Sequence, residues 1–245
     1  MRKIIAFTTF SLTLILACLS VAAQSQSRDD VIREIEAKRA ELAVLEKKVI
    51  AVSDKDREDF AAFLNQPQTG MIRLLPRETY DGNAKRALTI NGGGAYYSFV
   101  RKTHEYGQGS DIELQQGQLS VGFAGADYGM LLNLGDVSLD QVASDHAATR
   151  ALLDYTPPKK EAEVRAEFRK LWQGIELTGF TFKSRLPAEV SNTYLLRSIS
   201  IERSDVVVAF RITRKDTDGS LILVYKVLKS FPKPTMERAQ SAALE

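Results

Sequence analysis

The chain holds one cysteine, two histidines and one tryptophan among its 245 residues. With Cys18 alone, no disulfide closes within the chain. His104 and His146 are too few to complete a zinc site, which takes four nitrogen, sulfur or oxygen ligands in a recognisable spacing. Charge of one sign is equally scarce. Lys and Arg number 33 against 31 Asp and Glu, and Arg2 and Lys3 account for the excess. A nucleic-acid surface needs surplus cations to displace counterions from phosphate, and residues 24–245 offer none. That stretch also lacks an apolar run near the 18 residues of a membrane span.

The usual catalytic and cofactor motifs are missing too. Gly92-Gly93-Gly94 leads into Tyr96-Tyr97-Ser98-Phe99, a strand-like segment, where a phosphate loop needs a helix. No Gly-x-Ser-x-Gly elbow occurs. Asp216-Thr217-Asp218-Gly219 has the flavour of a calcium loop, but its twelfth position is Val227 instead of glutamate. It reads as a hairpin turn, with Gly219 supplying a positive φ. No cofactor and no metal are therefore expected.

What is present begins with an export signal. Arg2 and Lys3 precede an uncharged stretch from Ile4 to Leu16, and Val21-Ala22-Ala23 places small residues before Gln24. This is the order of a secretory signal over residues 1–23, cleaved after Ala23. It predicts a secreted or periplasmic protein. The alternative is a lipoprotein: Leu14-Ile15-Leu16-Ala17-Cys18 loosely resembles a lipobox, which would anchor the chain to a membrane through Cys18.

Residues 24–66 read as a helical arm. Val31, Ile35, Leu42, Leu45, Val49 and Val52 fall on alternating four- and three-residue steps, with Lys38 in the seam. The stripe is expected to pack on its own chain over 27–52. Self-association, or a partner helix, is the alternative. Ser53 and Asp56 approximate a capping box for a second helix carrying Phe60, Phe63 and Leu64.

From Gly70 the period becomes two. Strands are predicted at 71–75, 87–90, 95–103, 111–115, 118–124 and 129–134, then at 175–185, 193–202, 205–214 and 221–229. One helix intervenes at 159–172, with Val164, Phe168, Leu171 and Trp172 as its buried face. The fold class is α+β: a β-rich lobe at 67–156, a helix-plus-sheet lobe at 157–235 and a frayed tail at 236–245. A faint echo between Arg57-Glu58-Asp59-Phe60 and Arg165-Ala166-Glu167-Phe168 raises the idea of two similar lobes.

The candidate site lies between Tyr96 and Glu113. A hairpin placing His104 opposite Asp111 would also set Lys102 opposite Glu113, two complementary pairs on one face. His104, Tyr106 and Asp111 are then the expected ligand-binding residues. The sequence thus reads as an exported, noncatalytic binding or envelope-structural module whose partner is a glycan or an envelope protein. The alternative is a secreted hydrolase using His104 with Asp111.

Overall fold

The structure, a computed structural model, describes residues 27–107, 109–123 and 127–237. The expected signal segment over residues 1–23, with Cys18, lies outside them, as does most of the expected tail at 236–245. The chain divides into two units, one ending at Glu41 and one from Leu42 onward.

Helix α1 (Arg28–Val49) runs through both. Its first turn is capped by Ser27, whose Oγ accepts the Asp30 N–H at 3.1 Å. Asp29 and Asp30 at its start and Lys47 and Lys48 at its end oppose the helix dipole. Of the expected apolar seam, Val52 just beyond the helix is buried in the core, but within the helix Val49 is half-buried and Val31, Ile35, Leu42 and Leu45 are exposed. The one buried residue of the helix is Glu46, whose carboxylate takes both the backbone N–H and the hydroxyl of Thr89. Those two hydrogen bonds fix the helix rotation and leave Leu42 and Leu45 in solvent.

Ser53 caps α2 (Asp54–Asp59) as expected, its Oγ accepting the Asp56 N–H. Asp56 also receives the guanidinium of Arg214, which ties the cap to a strand. A short α3 (Ala61–Leu64) follows. The remaining elements are β1 (Thr69–Leu74), α4 (Arg77–Tyr80), β2 (Tyr96–Tyr97), β3 (Ile112–Gln115), β4 (Gln118–Ser120) and β5 (Tyr128–Gly135). After a 3-10 turn come α5 (Ala147–Asp154), α6 (Glu161–Gln173), β6 (Ile175–Leu177), β7 (Phe180–Phe182) and β8 (Arg185–Pro187). The last three strands are β9 (Thr193–Ser200), β10 (Ser204–Lys215) and β11 (Leu221–Phe231). The α+β reading holds, with an N-terminal helix and then mainly antiparallel strands.

The strands form an inner sheet in the order β1-β11-β10-β9-β5, an outer sheet in the order β2-β3-β4-β8, and the hairpin β6-β7. Strands from 67–156 and from 157–235 share both larger sheets. The two expected lobes therefore do not form separate sheets. The predicted strand at 87–90 is irregular, and that at 95–103 shrinks to two residues with a bridge from Ser98 to Thr103. The cause is local. Lys102 has φ +55 and its N–H donates to the Ser98 carbonyl, so the chain turns where extension was expected.

Alternation along the inner strands builds two cores. Val206, Val208, Phe210 and Ile212 of β10 face the outer sheet and meet Tyr97, Ile112 and Leu119. Val207 and Ala209 face the other way, onto Leu152 of α5 and Val164 and Leu171 of α6. The unit from Leu42 onward thus has three layers: α5 and α6, the inner sheet and the outer sheet. The β10–β11 connection is the predicted tight turn, with Gly219 at φ +88 and its N–H donating to the Asp216 carbonyl. Among the described residues no helix is long and apolar enough to cross a membrane.

Candidate functional site

The outer sheet has one face on the core, and period-two alternation dictates what the other face carries. Tyr97, Ile112, Leu114 and Leu119 point inward. Their neighbours must point outward, and the register lines them up across all four strands. Tyr96 pairs with Glu113, Glu113 with Ser120, and Ser120 with Arg185. The result is a transverse row of tyrosine, carboxylate, hydroxyl and guanidinium.

Glu113 is the centre of this row. Its carboxylate accepts from Tyr96 OH at 2.5 Å, from Arg77 Nη1 at 3.0 Å and from Ser120 Oγ at 3.1 Å. Arg77 opens α4 and is itself steadied by Asp81, Nε to Oδ2 at 3.0 Å, with its guanidinium 5.8 Å from the centre of the Tyr96 ring. Burial and the adjacent carboxylate push the Tyr96 phenol well above its ordinary range, so it stays a donor.

Over the row lies a cleft of about 410 Å³. One wall is aromatic. Tyr106 packs on Tyr96 with ring centres 4.6 Å apart, and Phe123 meets Tyr96 edge-on at 5.2 Å. Gly122, just before Phe123, has φ +82, and a Cβ there would fall 2.6 Å from Tyr128 Cα, so only glycine serves at this bend. The cleft is also lined by Phe168 and Trp172 from the C-terminal half of α6. The Ser184 N–H donates to the Leu171 carbonyl at 2.9 Å, which locks the start of β8 to the end of α6. Trp172 is thereby fixed on the same cleft as Arg185, and it is 60 % exposed. The expectation that Trp172 is buried with Leu171 is corrected: Leu171 enters the core and Trp172 borders the cleft.

Two residues of this cleft each carry one polar atom that is buried beneath its surface without a hydrogen-bond partner: Ser184 Oγ and Arg185 Nε. Unpaired buried polar groups cost about 1–3 kcal/mol each.

The expected site residues are not brought together. Tyr106 belongs to the cleft just described. His104 lines a separate cavity of about 250 Å³ with Glu46 and Thr89. Its Nε2–H donates to the Arg73 carbonyl at 2.8 Å, its ring meets Tyr97 edge-on, and burial lowers its pKa, so it sits neutral. Asp111 is fully buried and accepts the Phe99 N–H at 2.7 Å. The hairpin register explains the correction. Glu113 faces Tyr96 instead of Lys102, and the 98–103 turn carries His104 away from Asp111. The His104–Asp111 hydrolase reading loses its geometry.

Sequence reasoning missed Arg77, Glu113, Trp172 and Arg185. The signal that finds them is the inward set Tyr97, Ile112 and Leu119, once the strand pairings are known. Compared with known proteins, the chain matches no family model, no curated protein and no solved structure.

Proposed function

We propose that the chain is a noncatalytic binding module and that the cleft over Glu113 is its ligand site. The observation that carries this is Trp172, the chain's one tryptophan, held in solvent beside a hydrogen-bonded polar row. Fully burying a large apolar side chain is worth about 1.5–3 kcal/mol, which a ligand laid on the exposed indole would recover in part. An aromatic wall with a few fixed polar groups is the usual make-up of a small-ligand site. Binding is favoured over hydrolysis because Glu113 is the single carboxylate among the described residues that line the cleft, and glycoside hydrolysis ordinarily takes two flanking the bond. The ligand class fits a glycan or an envelope peptide.

The test is a screen of immobilised envelope glycans and peptides against wild type and Trp172→Ala. Wild type should be retained on at least one class, and the variant at least tenfold more weakly. The exposed position should keep the stability change within about 0.5 kcal/mol. Equal retention of both proteins would reject the cleft as the site.

We also propose that the module works outside the cytoplasm, on the strength of the Arg2–Lys3, Ile4–Leu16 and Val21-Ala22-Ala23 order. Mass spectrometry of the exported protein should find Gln24 as the first residue. A lipid-modified Cys18 at the N-terminus would replace this with the anchored form.

A further inference from the structure

We propose that the exposed stripe of α1 is a self-association surface, and that its occupant is α1 of a second copy of this chain, packed antiparallel. This stands apart from the cleft and does not depend on it. Among the described residues nine large apolar side chains are exposed, and six of them lie on this one helix: Val31, Ile32, Ile35, Leu42, Val44 and Leu45.

Their spacing is ordered. At about 100° per residue, Val31, Ile35, Lys38, Leu42 and Leu45 fall within an arc of about 80°. Ile32 flanks that arc, and Val44 lies off it. Single apolar residues scattered on a surface need no explanation, whereas steps of four and three repeated along one helix make a coiled-coil seam. The seam stays in solvent because the Glu46–Thr89 hydrogen bonds hold the flank beside it. So short a seam would not fold a free peptide. Here α1 is already folded, capped by Ser27 and anchored by Glu46, so association does not carry the cost of forming it.

The charged residues choose the occupant. In an antiparallel pair of α1 helices, Ile35 can sit over Leu45 of the second copy and Lys38 over its Leu42. The Lys38 ammonium is 3.0 Å from Glu41 Oε2 of its own chain. The two-fold axis of this register passes beside residue 40, so both Lys38–Glu41 pairs gather at it and their charges alternate. The same register sets Glu34 beside Lys48 of the second copy, and Lys48 beside its Glu34. Arg39 approaches its counterpart only on the solvent flank, where salt screens the repulsion. A parallel pair would align Glu34 with Arg39 but would stack Lys38 on Lys38 inside the seam and set Glu41 against Glu46. Two like charges facing each other in a seam outweigh an exposed ion pair.

Sedimentation equilibrium of the purified exported protein over a wide range of concentration tests the surface. It should show a reversible equilibrium between one chain and two. Leu42→Asp with Leu45→Asp should leave one chain throughout, with unchanged melting of the dilute protein, because both side chains are exposed there. Lys38→Leu should tighten the pair by on the order of tenfold, since a lysine in the seam lowers the stability of a coiled coil. Orientation is read by cross-linking, for residues 24–245 contain no cysteine. Ile35→Cys and Leu45→Cys should form a disulfide-linked pair when mixed under mild oxidation, and neither should do so alone.

The mass of one chain at every concentration would overturn the proposal, as would a dimer that survives Leu42→Asp with Leu45→Asp. Weaker or unchanged association in Lys38→Leu would show that the seam is not the contact. Cross-linking of each cysteine variant with itself would overturn the antiparallel order.

Discussion

Replacing Arg197 with methionine should cost about 3–5 kcal/mol of folding stability, the range for breaking a buried ion pair from one side. Arg197 is 1 % exposed in the middle of β9. Its Nε and Nη2 meet Asp205 at 2.9 and 2.8 Å, and its Nη1 donates to the carbonyls of Leu152 and Tyr155. The guanidinium also lies 4.3 Å from the centre of the Phe231 ring. One side chain therefore links β9, β10, the end of β11 and the chain leaving α5. Removing it strands the Asp205 carboxylate in the core and leaves two carbonyls without a donor. The double variant Arg197→Met, Asp205→Leu should recover much of the loss, since the stranded charge goes with it. Urea unfolding of the two variants beside wild type measures both effects. A loss under 1 kcal/mol for Arg197→Met would show that the pair does not hold these elements together.

The second large effect is a dependence on pH that runs opposite to ordinary acid denaturation. Asp111 is fully buried, and burial pushes its carboxyl up to about 6 despite hydrogen bonds from Ser198, Phe99 and Ser98. Its Oδ1 has no partner. An acid whose folded pKa is raised binds its proton more tightly in the native state. Its contribution to stability is therefore full below the unfolded value near 3.8, falls as pH rises through the window, and is gone above about 6. A span of that width corresponds to about 3 kcal/mol. Asp111→Asn keeps the shape and removes the proton. The stability difference between wild type and Asp111→Asn should shift by about 3 kcal/mol in favour of wild type between pH 7 and pH 3. A difference that stays constant across that range would show that Asp111 does not titrate in the fold.

Much of the architecture could be read from local pattern. The strands predicted at 205–214 and 118–124 are there, and their alternation puts Val206, Val208, Phe210 and Ile212, and Leu119 and Val121, on core faces. Ser53 does cap its helix, and Gly219 does close the hairpin. These features depend on a few neighbouring residues and on periodicity. The site was less legible because it depends on three strand pairings at once. Charge complementarity favoured Lys102 opposite Glu113, yet burial of Tyr97 and Ile112 outweighs a surface ion pair and sets the register. Trp172 falls on the α6 stripe with Val164, Phe168 and Leu171, so helical spacing alone cannot tell core from cleft border. The distinction comes from the Ser184–Leu171 hydrogen bond, which brings in a strand distant from any helical pattern.

The order of the inner sheet sets the order of events in folding. β1 has one partner in this sheet, β11, and the two are the first and the last strand in sequence. A nascent polypeptide emerging from its N-terminus has nothing to close β1 against until residues 221–231 arrive. β5 likewise waits for β9. Pairings of such long sequence separation must overcome loop-closure entropy before any contact rewards them, which makes them slow to form. The apolar edges of β1 and β5 thus wait unpaired for late-emerging partners, a state that demands protection from aggregation until the last strand is in place.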